Sequence, residues 1–336
     1  MARPAVADAV STPGRRPTII DVAERAGVSR QTVSRAMNDM AGISAATRDR
    51  VLQAAQELSY RPSRFGRGLV EQGPITLGLV VMDLTNAYYG ELGTAVVRAC
   101  APYGWNVVLV EAENAPDPEN AAAELARRVD AIVGYGVGTG DIRGGTGMPV
   151  VQLDGGRKHV DAGGVVEQLF KEAMPDLVAH LRDVGVRRPL VLDLTGGPIG
   201  GRALTLAEAL RPLTDDGEVL IQEVDGRTGH REALETALAT GADGLIAFND
   251  ELAVRLLRAL RSMGVEVPGQ VRLVGVDGLE LGELVTPELT SLSIDLDAVA
   301  RETVELVAGM LEGTVPLTGE DAHRTVPYHL EVRAST

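Results

Sequence analysis

Residues 18–60, TIIDVAERAGVSRQTVSRAMNDMAGISAATRDRVLQAAQELSY, carry the pattern of three short helices. Thr18 stands where a capping residue is needed, and Asp21, three residues on, suits the positive N-terminal end of a helix. Ile19, Val22, Ala23 and Ala26 then fall on one helical face. Gly27 follows, where a tight turn can use the positive φ that glycine tolerates. Ser29 is placed to cap a second helix, whose Val33 and Met37 lie one turn apart. Ser44 is placed to cap a third, with Val51, Ala55 and Leu58 as its apolar face. Ala23, Gly27 and Val33 have the relative spacing of a helix-turn-helix: a small residue where helices touch, glycine in the turn, an aliphatic beneath the second helix. The outer face of that second helix displays Arg30, Gln31, Thr32, Ser34 and Arg35. Arginine and glutamine make bidentate contacts to purine edges, and small hydroxyls suit phosphates. Arg30, Gln31 and Arg35 are therefore expected at base edges of double-stranded DNA. The plain alternative is a helical hairpin that packs elsewhere with its polar residues solvated.

The segment that follows argues against that alternative. Residues 61–69, RPSRFGRGL, hold three arginines, two glycines and little that could be buried. Each glycine costs a helix roughly 1 kcal/mol relative to alanine. The segment is expected to be disordered alone and to fold only on a polyanion.

The chain has 336 residues and a formal net charge of −15, which on its face argues against nucleic acid. The charge is unevenly spread. Residues 1–73 carry 11 arginines against 7 acidic residues, and the remainder carries 21 basic against 40 acidic residues. A basic head on an acidic body attracts DNA to one end and repels it from the other. Cys100 is the single cysteine, so neither a disulfide framework nor a cysteine-rich metal site is expected. The first residues contain no apolar run of signal-peptide length, and nothing approaches a membrane span. A cytoplasmic protein with no membrane partner is the expectation. Residues 1–16 read as a flexible arm in which Arg15 and Arg16 are either solvated or touch phosphate.

From Ile75 onward, apolar runs alternate with amphipathic stretches, as in parallel sheets covered by helices on both faces. The expected strands are Ile75–Met82, Asn106–Val110, Ala131–Val133, Pro149–Leu153, Leu190–Leu194, Val219–Val224, Gly244–Phe248 and Val271–Val276. Helical patterns lie between them, among them Ala121–Arg128, Leu204–Leu210, Arg231–Ala239 and Glu251–Met263. The pattern occurs twice, which predicts two doubly wound lobes with a ligand cleft beyond the carboxyl ends of the strands. Polar groups stand at those ends: Asp83, the run Asn86-Ala87-Tyr88-Tyr89, Asp154, Arg202, Asn249-Asp250 and Asp277. Any one of them alone is better read as a cap or a solvated turn. Together, in two lobes, they converge on a cleft.

Ile20-Asp21-Val22-Ala23, Ala26-Gly27-Val28-Ser29, Thr32-Val33-Ser34-Arg35, Asn38, Ser44, Thr47-Arg48 and Tyr60-Arg61-Pro62 resemble the headpiece of the lactose-repressor (LacI/GalR) family of transcription regulators. The body is similar to that family's effector core at Leu77–Val81 with Asp83 and Asn86, at Phe248-Asn249-Asp250, at Val267-Pro268 and at Val274–Asp277. It is similar again at Pro287–Ser291 and in an ending that carries Pro327, Leu330, Arg333, Ser335 and Thr336. The resemblance implies an all-α helix-turn-helix headpiece over 17–62 and a hinge helix over 63–73. It also implies a two-lobed, periplasmic-binding-protein-like α/β core of two doubly wound parallel sheets. One lobe would take 74–168 and 293–321, the other 169–292 and 322–336.

It further implies phosphate contacts by Thr18, Ser29, Thr32, Ser34, Asn38, Ser44, Thr47 and Arg64, and a minor-groove wedge at Leu69. Tyr88, Tyr89, Asp154, Arg202, Asn249 and Asp277 match positions that line the family's effector cleft. The partners implied are operator DNA, a small polar effector resembling a sugar or nucleobase, and a second copy of the chain. No cofactor or metal is called for.

The sequence departs from the family at several places. Gly66 and Gly68 replace better helix formers in the hinge. Gly226 stands where an aromatic clamp is often found, Val186 stands in place of a histidine, and Glu167-Gln168 replaces the Asp-Asn pair that usually begins the crossover helix. Enzyme readings fare poorly against the same residues. The glycine-rich run 134–147 lacks the Gly-Lys-Ser/Thr ending of a P-loop, and residues 196–201 lack the dinucleotide fingerprint. The five histidines show no metal-ligand spacing, and no Gly-x-Ser-x-Gly elbow occurs. A solute-binding protein with the same body would need export. Either competitor would leave Thr18 to Leu69 without a purpose.

Overall fold

The computed structural model describes residues 19–37, 42–58, 74–112, 121–137, 147–154, 163–195 and 199–336. Thr18, Asn38, Arg64 and Leu69, and with them the expected arm and hinge, lie outside the described residues.

The head forms three helices: α1 (Ile19–Ala26), α2 (Arg30–Met37) and α3 (Ala45–Glu57). Val22, Ala23, Ala26, Val33, Ala36, Val51, Ala54 and Ala55 make one small core, with Ile19, Val28, Met37 and Leu58 packed against it. The core is built from alanine and valine, so the helices approach closely. Gly27 turns the chain between α1 and α2 at φ 66°, a left-handed value that an L side chain adopts only under strain. The caps expected at Ser29 and Ser44 are formed. Ser29 Oγ accepts from the Thr32 amide at 3.1 Å, and Ser44 Oγ accepts from the Thr47 amide at 3.2 Å. Arg25 of α1 donates to Glu57 of α3 at 2.8 Å through Nε, which ties the first helix to the third.

Among the described residues the body contains eleven strands, numbered in chain order with the ranges given below, in the order β2-β1-β3-β4-β5-β11-β10-β9-β8-β6-β7. The N-terminal sheet comprises β1 (Thr76–Val81), β2 (Asn106–Glu111), β3 (Ala131–Gly134), β4 (Val150–Leu153), β5 (Gly164–Leu169) and the first half of β11 (His323–Glu331). Its pairings are all parallel. The C-terminal sheet comprises β6 (Pro189–Leu194), β7 (Leu220–Val224), β8 (Gly244–Ala247), β9 (Arg272–Asp277), β10 (Thr290–Ile294) and the second half of β11. Among the described residues, only the β10–β11 pairing is antiparallel, with Ile294 opposite Tyr328.

Central strands β1, β3 and β8 are buried along their whole length, as strands covered on both faces require. The covering helices are amphipathic. In α9 (Asp250–Ser262), Leu252, Ala253, Leu256, Leu257 and Leu260 face the sheet. α10 (Leu296–Glu312) packs on α4 (Ala87–Cys100) and so returns the chain to the N-terminal lobe. The chain thus passes between lobes after β5, after β10 and within β11.

The eight strands read from the sequence are present with ends shifted by a residue or so. Glu167-Gln168 requires a correction. Both residues lie inside β5, paired with Thr325 and Val326 of β11, and the helix that follows, α6 (Met174–Asp183), starts only after a 3-10 turn over Phe170–Ala173. The physical reason is the run Gly164-Val165-Val166: both valines are fully buried in the sheet, and glycine at 164 lets α10 pack close, since a Cβ there would stand 2.6 Å from Met310 Cε and 3.2 Å from Leu306 Cδ2.

Candidate functional site

The head offers one face suited to nucleic acid. On α2, Val33 and Ala36 are buried, whereas Arg30, Gln31 and Arg35 are exposed on the opposite side. Arg35 folds its guanidinium toward Gly42, whose φ is 95°. Ser29 and Ser44 stand at the N-terminal ends of α2 and α3 with their hydroxyls shared with Thr32 and Thr47, each pair 2.9 Å apart. Helix N-termini present unbonded amides and a partial positive charge, which favours phosphate there. The expected base-reading residues and the expected hydroxyl donors are therefore on connected faces of one small domain.

The second site lies at the carboxyl ends of the body's strands. Asp154 follows β4, and Asp277 ends β9. They are the two non-glycine residues with left-handed φ among the described residues, 55° and 108°. Strained backbone at both cleft carboxylates fits a site whose geometry is set by function. A cavity of about 600 Å³ opens here, lined in part by Asp154, Gln168, Phe170, Arg202, Thr205 and Tyr328.

Arg202, in the first turn of α7 (Gly201–Leu210), is the centre of the arrangement. Its Nη1 donates to the Phe248 carbonyl at 2.9 Å and stands 3.3 Å from Asp277 Oδ1, without hydrogen-bond alignment to it. Its guanidinium carbon lies 5.0 Å from the Phe248 ring centre and 5.5 Å from that of Phe170. Burial works against the charge on Arg202, but Asp277 and its neighbours outweigh it and hold the guanidinium ionised. Burial pushes the Asp277 carboxyl up to about 6 against the pull of Arg202. Asp154, which opens into the cavity, is raised for the same reason, with Arg202 again opposing.

Asp277 is itself buried behind Arg202, and the remaining expected cleft residues are likewise set back from the cavity. Asn249 is buried, and its Oδ1 caps α9 by accepting from the Leu252 amide at 2.9 Å. Tyr88 is 6% exposed, and its hydroxyl lies 2.5 Å from that of Tyr135. Tyr89 is half-buried, edge-on to Tyr88 and Tyr135. Gln168 joins this group: its amide donates to Tyr135 at 2.8 Å and Tyr88 at 3.0 Å, and its carbonyl accepts from Tyr328 at 3.3 Å. Phe170, Phe248, Tyr135, Gln168 and Tyr328 were absent from the sequence-based set. A signal existed. The chain is only 3% aromatic, yet six of its nine phenylalanines and tyrosines stand around this cleft.

Behind Asp277 sits a fully buried acid, Asp250. It accepts from the Leu279 amide at 2.7 Å and from Ser291 Oγ at 2.6 Å, and burial pushes it up to about 7. A Cβ on Gly275 would stand 2.0 Å from its Oδ1, so glycine is required beneath it.

The arrangement combines a helical head, whose α2 exposes Arg30, Gln31 and Arg35, with a polar, aromatic-lined cleft. Comparison with known proteins agrees. A family model described as bacterial regulatory proteins, lacI family, matches residues 18–63, and one described as periplasmic binding protein-like domain matches 178–336. The HTH-type transcriptional regulator AscG of Escherichia coli (strain K12) is 30% identical over 313 residues, covering 88% of this chain and 92% of its own. Catabolite control protein A of Staphylococcus xylosus is 28% identical over 334 residues, covering 95% and 99%.

Among solved structures, a LacI family transcriptional regulator from Arthrobacter sp. FB24 in complex with lactose aligns at a TM-score of 0.72 and 30% identity, over 79% of this chain and 100% of that one. The lac repressor dimer bound to operator and an anti-inducer, at 22% identity and a TM-score of 0.67, shares the fold over 96% of this chain and 99% of that one. With both of its parts matched, the chain belongs to the lacI family of bacterial regulatory proteins.

Proposed function

We propose that this protein is a cytoplasmic repressor that binds a near-palindromic operator as a homodimer, and that a small polar effector in the cleft modulates its operator affinity. The observation that carries the reading is α2, with Arg30, Gln31 and Arg35 exposed beside the capped N-termini of α2 and α3. One such helix reads only a few base pairs, so a useful site needs two headpieces related by symmetry. Two sheet edges, β2 and β7, support a second copy as the partner. Val97, Val108 and Leu109 are exposed near the first, and Leu204 and Leu220 near the second.

The cleft supports a donor-rich effector, sugar-like or nucleobase-like. Asp154 presents acceptors at the cavity, Arg202 presents donors with the buried Asp277 behind it, and the surrounding rings suit an apolar ring face. Regulators that resemble this one have been crystallised with lactose and with cellobiose. A solute-binding or catalytic role leaves the exposed face of α2 unexplained. No helix among the described residues is long and apolar enough to cross a membrane.

The experiment is selection of genomic fragments by the purified full chain, followed by operator titration with and without candidate sugars and nucleosides. Recovery of a symmetric site bound by two chains is expected. Failure to enrich any fragment at physiological salt would overturn the reading.

A further inference from the structure

The turn after β7 has Gly226 where the family resemblance leads to the expectation of an aromatic, yet packing does not demand glycine there. A Cβ would meet only Leu194, at 3.4 Å. What the turn does carry is an organised arginine. Asp225 Oδ1 accepts from the amides of Arg227 at 2.8 Å and Thr228 at 2.7 Å, and from Thr228 Oγ1 at 2.9 Å. This Asx turn fixes the backbone at Arg227.

From there the Arg227 side chain leaves the C-terminal lobe and reaches the other one. Its Nη2 donates to Thr85 Oγ1 at 2.8 Å and stands 3.9 Å from Asp83 Oδ2. The receiving turn is prefolded. The Asp83 carboxylate accepts from the Thr85 amide at 2.8 Å and from Thr85 Oγ1 at 2.7 Å, so the hydroxyl donates to Asp83 while accepting from Arg227. Asp83 follows β1 and Arg227 follows β7, so the contact joins strand ends of opposite lobes across the cleft. A second bond between the lobes lies beside α4, where the Glu280 amide donates to Glu91 Oε1 at 3.3 Å.

We infer that Arg227 is a positioning residue of the cleft: by clasping the Asp83–Thr85 turn it sets how closed the two lobes stand in the absence of effector. The inference rests on the reading of the body as a hinged, ligand-binding core. Arg227 is not among the residues lining the cavity, and its side-chain bonds go to the Asp83–Thr85 turn, so it acts through lobe separation. Exposed pairs of this kind contribute about 0.2–1 kcal/mol, a roughly 1.4- to 5-fold change in the closed-to-open ratio. That range suits a switch, because a stronger clasp would resist opening by any ligand.

The test needs no ligand. Spin labels are placed at Arg128→Cys in the N-terminal lobe and Glu232→Cys on α8 (His230–Ala239) in the C-terminal lobe, both exposed positions, in the full chain. Cys100 is buried and does not compete for label. Dilution with excess unlabelled chain leaves only distances within one protomer. Arg227→Ala and Thr85→Val should each lower the ratio of short- to long-distance populations by about 1.4- to 5-fold, and the double variant should add nothing further. Arg227→Lys should retain part of the short-distance population. Both turns are exposed, so these variants keep the core intact. Distance distributions identical to wild type in Arg227→Ala and Thr85→Val would overturn the clasp. A wild-type distribution indifferent to every sugar and nucleoside tried would instead count against the ligand-switch reading and leave the clasp result standing.

Discussion

Arg202 and Asp277 face each other at 3.3 Å inside the cleft, with the arginine held between two phenylalanine rings and the carboxyl raised to about 6 by burial. The pair is therefore balanced between attraction and desolvation. An ordinary aspartate titrates near 4, so folding raises this group's affinity for its proton. The sign follows: the stabilising contribution is fully present below about pH 4 and is lost as pH rises through about 6.

Removing the cation sharpens that dependence. In Arg202→Ala, Asp277 has no counter-charge, so its carboxyl rises further and its ionisation costs more. The deficit relative to wild type should be small at pH 5 and should grow toward pH 8, by at most about 1.4 kcal/mol per pH unit. Urea melts of both proteins across that interval read the difference. A deficit that stayed constant with pH would mean that Asp277 is not the group concerned.

The body's outline was legible because parallel strands covered on both faces are continuous apolar runs, as in Thr76–Val81 and Gly244–Ala247. β5, β10 and β11 were harder to read for one shared reason. They are the strands at the crossing between lobes, and their polar residues are satisfied by partners remote in sequence. Gln168 is bonded to Tyr88 and Tyr328, Ser291 to Asp250, and Glu167 to His323 at 2.8 Å. Alternation of apolar and polar residues cannot reveal a polar group whose partner lies 160 residues away. The cleft's charged residues were visible at strand ends, whereas its aromatic wall is assembled from α4, β3, β8, β11 and the turn after β5. The helix caps were the most legible feature, because the serine and its recipient amide are three residues apart.

Ser335 provides a test of the last stretch of chain. Its Oγ accepts from the Thr290 amide at 2.8 Å and donates to the Leu273 carbonyl at 2.5 Å, and the residue is fully buried. Ser335→Ala leaves one donor and one acceptor without a partner in a dry site, at a cost of about 1–3 kcal/mol. The urea midpoint should fall with an unchanged slope. No change in midpoint would indicate that water replaces the hydroxyl.

The base-reading role proposed for α2 can be tested position by position. Arg30→Ala and Gln31→Ala should each relax preference at particular operator positions, by about 1–3 kcal/mol for a lost bidentate contact. Ser44→Ala should weaken all sequences alike and also lower headpiece stability by about 1 kcal/mol, since Ser44 caps α3. Competition titrations over single-base operator variants separate the two patterns. Unchanged selectivity in both α2 variants would mean that another face enters the groove.

Asp154 gives the sharpest test of the cleft, because it opens into the cavity from a strained backbone position while the core packs elsewhere. Asp154→Ala removes an acceptor without unpairing Arg202 from Asp277. A hydrogen bond from a ligand hydroxyl to a carboxylate contributes about 1.5–3 kcal/mol, so affinity for a true effector should fall roughly tenfold or more. Ligand-free operator affinity should stay within about twofold, since the residue lies in the body and touches neither α2 nor α3. Coupling of about 1–3 kcal/mol must also be reciprocal: a sugar that weakens operator binding must itself bind less tightly to the operator complex. Thermal-shift screening with lactose, cellobiose and common nucleosides supplies the ligand, and operator titration at saturating and zero ligand supplies the coupling. A variant that binds and responds like wild type would place the effector outside this cavity, and a ligand that binds without altering operator affinity would uncouple the cleft from the headpiece.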